Sequence, residues 1–376
     1  MRREMYLEKL MEFKDTKLIK VITGIRRCGK STLLFQFQEQ LKSDGILDEQ
    51  IVSINLEELE FEDLLEYHQL YNYIMQRQIK NKKMYIFIDE IQLIPDFQKA
   101  LDSLYVKENM DIYVTGSNAV IFSGELATRL SGRYVEFNMF TYSFAEYMEN
   151  KNISDLRVGL IEYIKNGGFP YATEISNRTV YKEYLKGIYN TVILKDIVER
   201  LGSSNVLIME SIFKYICDTV GNLITPKKIA DTLTSMNRKT NGVSVEKYLR
   251  AMEDSYLFYK VDRYNISGKQ WLKQQSKYYL SDLALRSILK EYDGSDIGHL
   301  LENVVAIELI RRGYRIFVGQ LNGKEIDFVV QNQDEIFYVQ VSQSVVEKEV
   351  MEREISPLLS IKDAYPKYLF TMDNMP

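Results

Sequence analysis

The sequence predicts an α/β protein with a parallel sheet in residues 1–140, and three observations carry that expectation. Short β-rich runs alternate with helical stretches there, and one run, Tyr85-Ile86-Phe87-Ile88, is apolar on both faces of its pleat, as a buried central parallel strand should be. A glycine-containing phosphate-loop pattern also lies between an apolar strand and a helix.

In chain order, strands are expected at 18–23, 51–55, 84–89, 111–115 and 134–137, with helices at 30–42, 64–80, 97–107 and 125–130 between them. Ser143-Phe144-Ala145-Glu146 then reads as a capping box that opens a helix. Helical patterning continues to about residue 200, broken by the turn signal Gly167-Gly168-Phe169-Pro170, and residues 202–205 read as a linker. Residues 206–264 read as three helices and a strand. A mixed pattern follows: helix 300–312, strands 315–318, 325–330 and 336–341, helix 346–359 and strand 367–371.

Composition narrows the function classes. The 376 residues allow several domains, and the two cysteines, Cys28 and Cys217, exclude a disulfide scaffold. No apolar run reaches the roughly 18 residues that span a bilayer, and the start lacks a signal peptide's apolar segment, so a cytoplasmic protein without membrane contact is expected. With two histidines, His68 and His299, far apart in sequence, a His-based triad or zinc site is disfavoured. A net charge of -5 means that any nucleic-acid contact must come from a local patch.

The nucleotide chemistry is explicit. Gly24-Ile25-Arg26-Arg27-Cys28-Gly29-Lys30-Ser31 fits G-x-x-x-x-G-K-[ST], and with Thr32 it would wrap backbone amides and a helix N-terminus around phosphates. Lys30 would reach the β- and γ-phosphates of ATP, and Ser31 would ligate Mg²⁺. Asp89 ends the apolar strand and would hold the same Mg²⁺, while Glu90 would polarise the attacking water. Thr115 and Asn118, in the Thr115-Gly116-Ser117-Asn118 turn, are candidate sensors of the γ-phosphate. Arg129 and Arg133 are candidate arginines for the transferred phosphoryl group, supplied from a neighbouring copy.

Together these motifs resemble the AAA+ superfamily. More narrowly, the chain is similar to prokaryotic AAA+ proteins that carry a C-terminal region called DUF4143. The resemblance rests on Gly24–Ser31, Ile54-Asn55-Leu56-Glu57, Asp89-Glu90, Thr115-Gly116-Ser117, Ser131-Gly132-Arg133, Gly167-Gly168-Phe169-Pro170, Leu301-Glu302-Asn303 and Glu325-Ile326-Asp327-Phe328. It implies an AAA+ sheet order with a helical extension behind it, and a homo-oligomer, ring or head-to-tail, in which an arginine completes the neighbour's site.

Four domains are expected: an AAA+ core at 1–140, a lid-like helical extension at 141–202, a winged helix-turn-helix at 203–270 and a restriction-endonuclease-like α/β domain at 271–376. Between Pro226 and Arg250 six basic residues, Lys227, Lys228, Arg238, Lys239, Lys247 and Arg250, stand against two acidic ones, a patch able to meet DNA phosphates. In the last domain Glu302 and Asp327 match nuclease carboxylates, but Gln340 and Ser342 stand where a Glu-x-Lys pair is usual. An inactive binding domain is therefore expected, with Lys324 or Lys348 as the substitutes to look for. The function expected is ATP hydrolysis coupled to movement of C-terminal domains that act on DNA or DNA-bound protein. The alternative is a slow nucleotide-dependent switch that recognises a protein partner.

Overall fold

A computed structural model describes residues 1–119, 130, 132–198, 201 and 205–373. The expected helix 125–130, apart from Leu130, lies outside them, as do Arg129, Ser131 and most of the 202–205 linker. The chain divides into two compact units, Met1–Phe140 with Asp254–Tyr256, and Thr141–Glu253 with Leu257–Pro376.

The first unit is built on five parallel strands: β1 (Ile19–Thr23), β2 (Ile51–Asn55), β3 (Met84–Asp89), β4 (Met110–Gly116) and β5 (Tyr134–Asn138). Their order across the sheet is β2-β3-β4-β1-β5, the AAA+ arrangement that the resemblance implied. Every residue of β1 and β3 is buried, which explains the unbroken apolar runs. Ile86, Ile88, Ile112 and Val114 meet Leu70, Ile74, Leu101 and Leu104 from covering helices in one core cluster. All five strands fall within about two residues of the sequence reading.

A helix not foreseen from the sequence, Glu4–Glu12, buries Tyr6, Leu7 and Leu10. A buried polar cluster closes the other end of the sheet. The Lys20 ammonium pairs with Asp111 with both side chains fully buried, Tyr113 donates its hydroxyl to Asp111 at 2.9 Å, and the Asp15 amide donates to the same carboxylate at 2.8 Å.

The second unit begins with the capping box as read: the Glu146 amide donates to Ser143 Oγ at 3.2 Å, and the Ser143 amide donates to Glu146 Oε2 at 2.7 Å. Helices Phe144–Lys151, Leu156–Asn166, Pro170–Glu174 and Arg178–Asn190 follow, the last continuing into a π-helical turn at Thr191–Val198. Helices Val206–Asp218, Pro226–Ser235 and Gly242–Asp254 precede a six-stranded sheet. Its strands are β6 (Phe258–Asn265), β7 (Gln270–Leu280), β8 (Arg315–Leu321), β9 (Lys324–Gln331), β10 (Ile336–Ser342) and β11 (Lys367–Thr371), in the order β11-β10-β9-β8-β6-β7. The sheet is continuous across residue 270, where the sequence had suggested a boundary, because β6 pairs with β7 on one side and with β8 on the other.

The Gly167-Gly168-Phe169-Pro170 turn is explained by Asp282. The Gly168 amide donates to Asp282 Oδ2 at 2.9 Å, and the Ala284 amide donates to Oδ1 at 2.8 Å. Burial pushes the Asp282 carboxyl up to about 6, against these amide bonds and the Thr141 hydroxyl that lower it. The folded chain therefore holds a proton that the unfolded chain releases near 3.8. Stability from this group is full below that pH and is lost as the pH rises to about 6. Asp282→Asn should flatten the pH dependence of the second unit's denaturation midpoint between about pH 4 and 6. An unchanged slope in urea titrations across that window would contradict the assignment.

Candidate functional site

The phosphate-loop residues follow directly from β1. Gly24, at φ 144°, packs so tightly that a Cβ there would lie 2.1 Å from the Met139 carbonyl oxygen, so the position demands glycine. Gly29 is left-handed, at φ 105°, and caps the helix Lys30–Ser43, whose first bonds include Leu33 N–H to Gly29 O at 2.9 Å. A loop of this shape turns successive amides toward its hollow. Lys30 is buried at 4 % exposure and folds its ammonium back onto the loop carbonyls, 3.0 Å from Gly24 O and 3.4 Å from Ile25 O.

Asp89 and Glu90 emerge from the end of β3, both buried. Burial raises the Asp89 carboxyl above its usual range, while hydrogen bonds from the Ser31 and Thr115 hydroxyls pull the other way. Three chain segments thus meet at one carboxylate: the helix after the loop, β3 and β4. Thr115 Oγ1 also accepts the Glu90 amide at 2.9 Å, and the Glu90 backbone is left-handed at φ 57°. The Glu90 carboxylate accepts a hydrogen bond from Gln92 Nε2, which lies 3.3 Å from Ser117 Oγ.

The remaining predicted residues sit as follows. Arg26 reaches Glu57 at 3.4 Å, and Leu56 N–H bonds to Asp89 O at 3.3 Å, so the Ile54-Asn55-Leu56-Glu57 run adjoins the site. Arg27 is exposed, Cys28 is fully buried with its thiol pushed up by burial, and Thr32 faces solvent on the helix. Asn118 is half-buried in the segment after β4. Arg133 is engaged within its own unit, 2.8 Å from Asp102 and stacked 5.1 Å from the Tyr105 ring. Arg129 is outside the described residues.

Two residues of this site were missed from the sequence. Arg3 is buried and donates to Cys28 O at 3.3 Å and to Phe140 O at 3.0 Å, so the Glu4–Glu12 helix grips the phosphate loop from behind. Nothing local in the sequence marks it. Gln92 could have been found from its place two residues after Glu90.

In the second unit Glu302, on the helix Ile297–Arg311, and Asp327, on β9, converge as expected, but the lysine between them is neither substitute considered. Lys324 bonds to Ser356 Oγ at 2.6 Å, and Lys348 is exposed beside Glu352. Instead Lys277 of β7, 2 % exposed, places its ammonium 2.7 Å from Glu302, 2.7 Å from Glu325 and 4.0 Å from Asp327. Burial and the neighbouring Glu302 anion raise Asp327 to about 8. Glu302, despite its burial, is held low by Lys277 and by the hydrogen bonds it accepts. Gln340 spends its amide on protein partners, accepting from Asp327 N–H at 3.3 Å and donating to Glu354 at 3.0 Å. The cluster lines a cavity of about 750 Å³ with His299, Ser342 and Arg353. The six basic residues of the 226–250 segment are all exposed, with Arg238 bonded to Leu207 O at 3.2 Å and Arg250 3.7 Å from Glu246. No helix among the described residues is long and apolar enough to cross a membrane.

Comparison with known proteins agrees with this architecture. Residues 16–148 match the family model described as an AAA domain. Residues 157–296 match a domain of unknown function, DUF8612, where the resemblance had implied DUF4143. A protein of Haemophilus influenzae described as uncharacterized is 42% identical over 98% of this chain and 92% of its own length. An uncharacterized protein of Methanocaldococcus jannaschii is 32% identical over 83% of this chain and 72% of its own. Among solved structures, a Walker-type ATPase of Pyrococcus abyssi superposes with a TM-score of 0.53 at 14% identity, over 77% of this chain and 97% of that one, a likeness of fold. With an AAA domain in its first 148 residues, the chain belongs to the family of the Haemophilus and Methanocaldococcus proteins.

Proposed function

We propose that the chain is an ATPase that binds Mg-ATP in its first unit and uses the cycle to move its second unit. The observation that carries this reading is the buried pairing of Asp89 with Thr115 beside Lys30 and Glu90, with Ser31 at its exposed edge. Ser31 and Asp89 offer the oxygen donors a hard divalent cation takes. Mg²⁺ bound there would offset charge on the triphosphate. Lys30 would exchange the carbonyls of Gly24 and Ile25 for the β- and γ-phosphate oxygens, while amides of Gly24–Thr32 hold the phosphates from below. Glu90 would take the proton of the attacking water, and Thr115 and Asn118 would register the γ-phosphate.

In this reading Arg133 and Arg129 act on the site of a neighbouring copy in a homo-oligomer, and Arg133 must first leave Asp102. The same bond favours a second reading, a slow switch that turns over little until a protein partner frees the arginine. A rate per chain that rises with protein concentration supports the first, and a constant low rate supports the second.

The second unit is read as a cytoplasmic DNA- or protein-contacting module. In it the Lys277 ammonium is engaged by Glu302 and Glu325, each at 2.7 Å. Mn²⁺-dependent DNA cleavage that disappears in Asp327→Ala would replace this reading.

Two outcomes are expected at the first unit. Lys30→Ala should weaken ATP binding by about 10²-fold, since it removes charge-assisted bonds to the phosphates. Glu90→Gln should keep affinity for a non-hydrolysable analogue and slow phosphate release by about 10²-fold or more. Fluorescent-nucleotide titration and single-turnover assays measure both, and unchanged values would defeat the assignments. For DNA, retention of a duplex should fall steeply with salt, and reversing the charges of Lys227, Arg238 and Arg250 should flatten that slope by about 3. Binding with no dependence on salt or on these residues would remove DNA from the reading.

A further inference from the structure

We infer that Gln92 is a positioning residue for Glu90, holding the carboxylate where it can meet the attacking water. The inference rests on the ATPase reading above and adds a residue that reading does not include.

The Glu90 backbone is fixed by its bond to Thr115 and by its left-handed turn, but neither constraint sets the carboxylate's direction. The Gln92 amide does: Nε2 donates to Glu90 Oε2 while lying 3.3 Å from Ser117 Oγ, in the segment after β4. One side chain therefore ties the β3 end to the strand end that carries Thr115. The amide cannot be turned over, because its carbonyl oxygen would then face the carboxylate, acceptor against acceptor.

The chosen orientation has a cost that shows in the structure. Gln92 Oε1 is buried with no hydrogen-bond partner among the described residues. Buried polar groups are almost always paired, so an unpaired one calls for a reason. An apolar side chain at this position of the Ile91–Leu93 turn would remove the orphan. It would also remove the donor that aims Glu90, and the chain keeps the donor.

The test compares the wild-type chain with Gln92→Met, which keeps size but has no N–H, and Gln92→Glu, which sets carboxylate against carboxylate. Circular dichroism first confirms folding. The expected result for Gln92→Met is a kcat about 10²-fold lower, with the KM for ATP and the affinity for a fluorescent non-hydrolysable analogue within about threefold of wild type. Gln92→Glu should be equally slow near pH 8 and recover relative to Gln92→Met as the pH falls, because a protonated Glu regains a donor for Glu90. A merely structural role gives no such recovery. Wild-type kcat in Gln92→Met, a faster rate, a loss confined to KM, or identical pH profiles for the two variants would overturn the inference while leaving the ATPase reading intact. A wild-type chain that binds ATP without hydrolysing it in any assembly state would sink that reading, and this inference with it.

Discussion

Asp89 is the point on which the first unit turns. Its carboxylate accepts the hydroxyl of Thr115, at the end of β4, and Ser31, at the start of the helix after the phosphate loop, helps to hold it low against its burial. A carboxylate buried this deeply is costly without partners, and the partners come from segments that are distant in sequence. The carboxylate thus draws together the ends of β3 and β4 and the start of the helix after the phosphate loop.

Much of this was legible in the sequence because it is local. The Gly24–Ser31 spacing and the apolar run before Asp89 act over a few residues, and the structure places these elements close to where the pattern did. What was not legible is long-range. Arg3 acts on Cys28 and on Phe140, 137 positions away, and no periodicity announces that contact. The Glu4–Glu12 helix was passed over because its charged residues masked the three buried ones, Tyr6, Leu7 and Leu10.

The second unit shows the same limit more sharply. Gln340 and Ser342 carry no positive charge, and the ammonium beside Glu302 comes from Lys277 of β7, a strand the polar run Lys273-Gln274-Gln275-Ser276 disguised. Lys277 and Tyr279 alternate on that strand and both reach Glu302. Lys277 and the hydrogen bonds that Glu302 accepts hold the Glu302 carboxyl low, while burial and the Glu302 charge push Asp327 up.

The buried pair of Lys20 and Asp111 bears on alignment more than on net stability, since such pairs gain little over well-packed apolar residues. Lys20 stands opposite Tyr113 in the β1–β4 ladder, and further along the same ladder Ile22 stands opposite Thr115 and Thr23 opposite Gly116. A slip of one residue would turn the ammonium to the other face of the sheet, among apolar side chains and away from its only anion in the ladder. The two charges therefore act as an index mark on the sheet. They mark which residues of β1 and β4 lie opposite one another, and they do so from the margin of the sheet away from the phosphate loop.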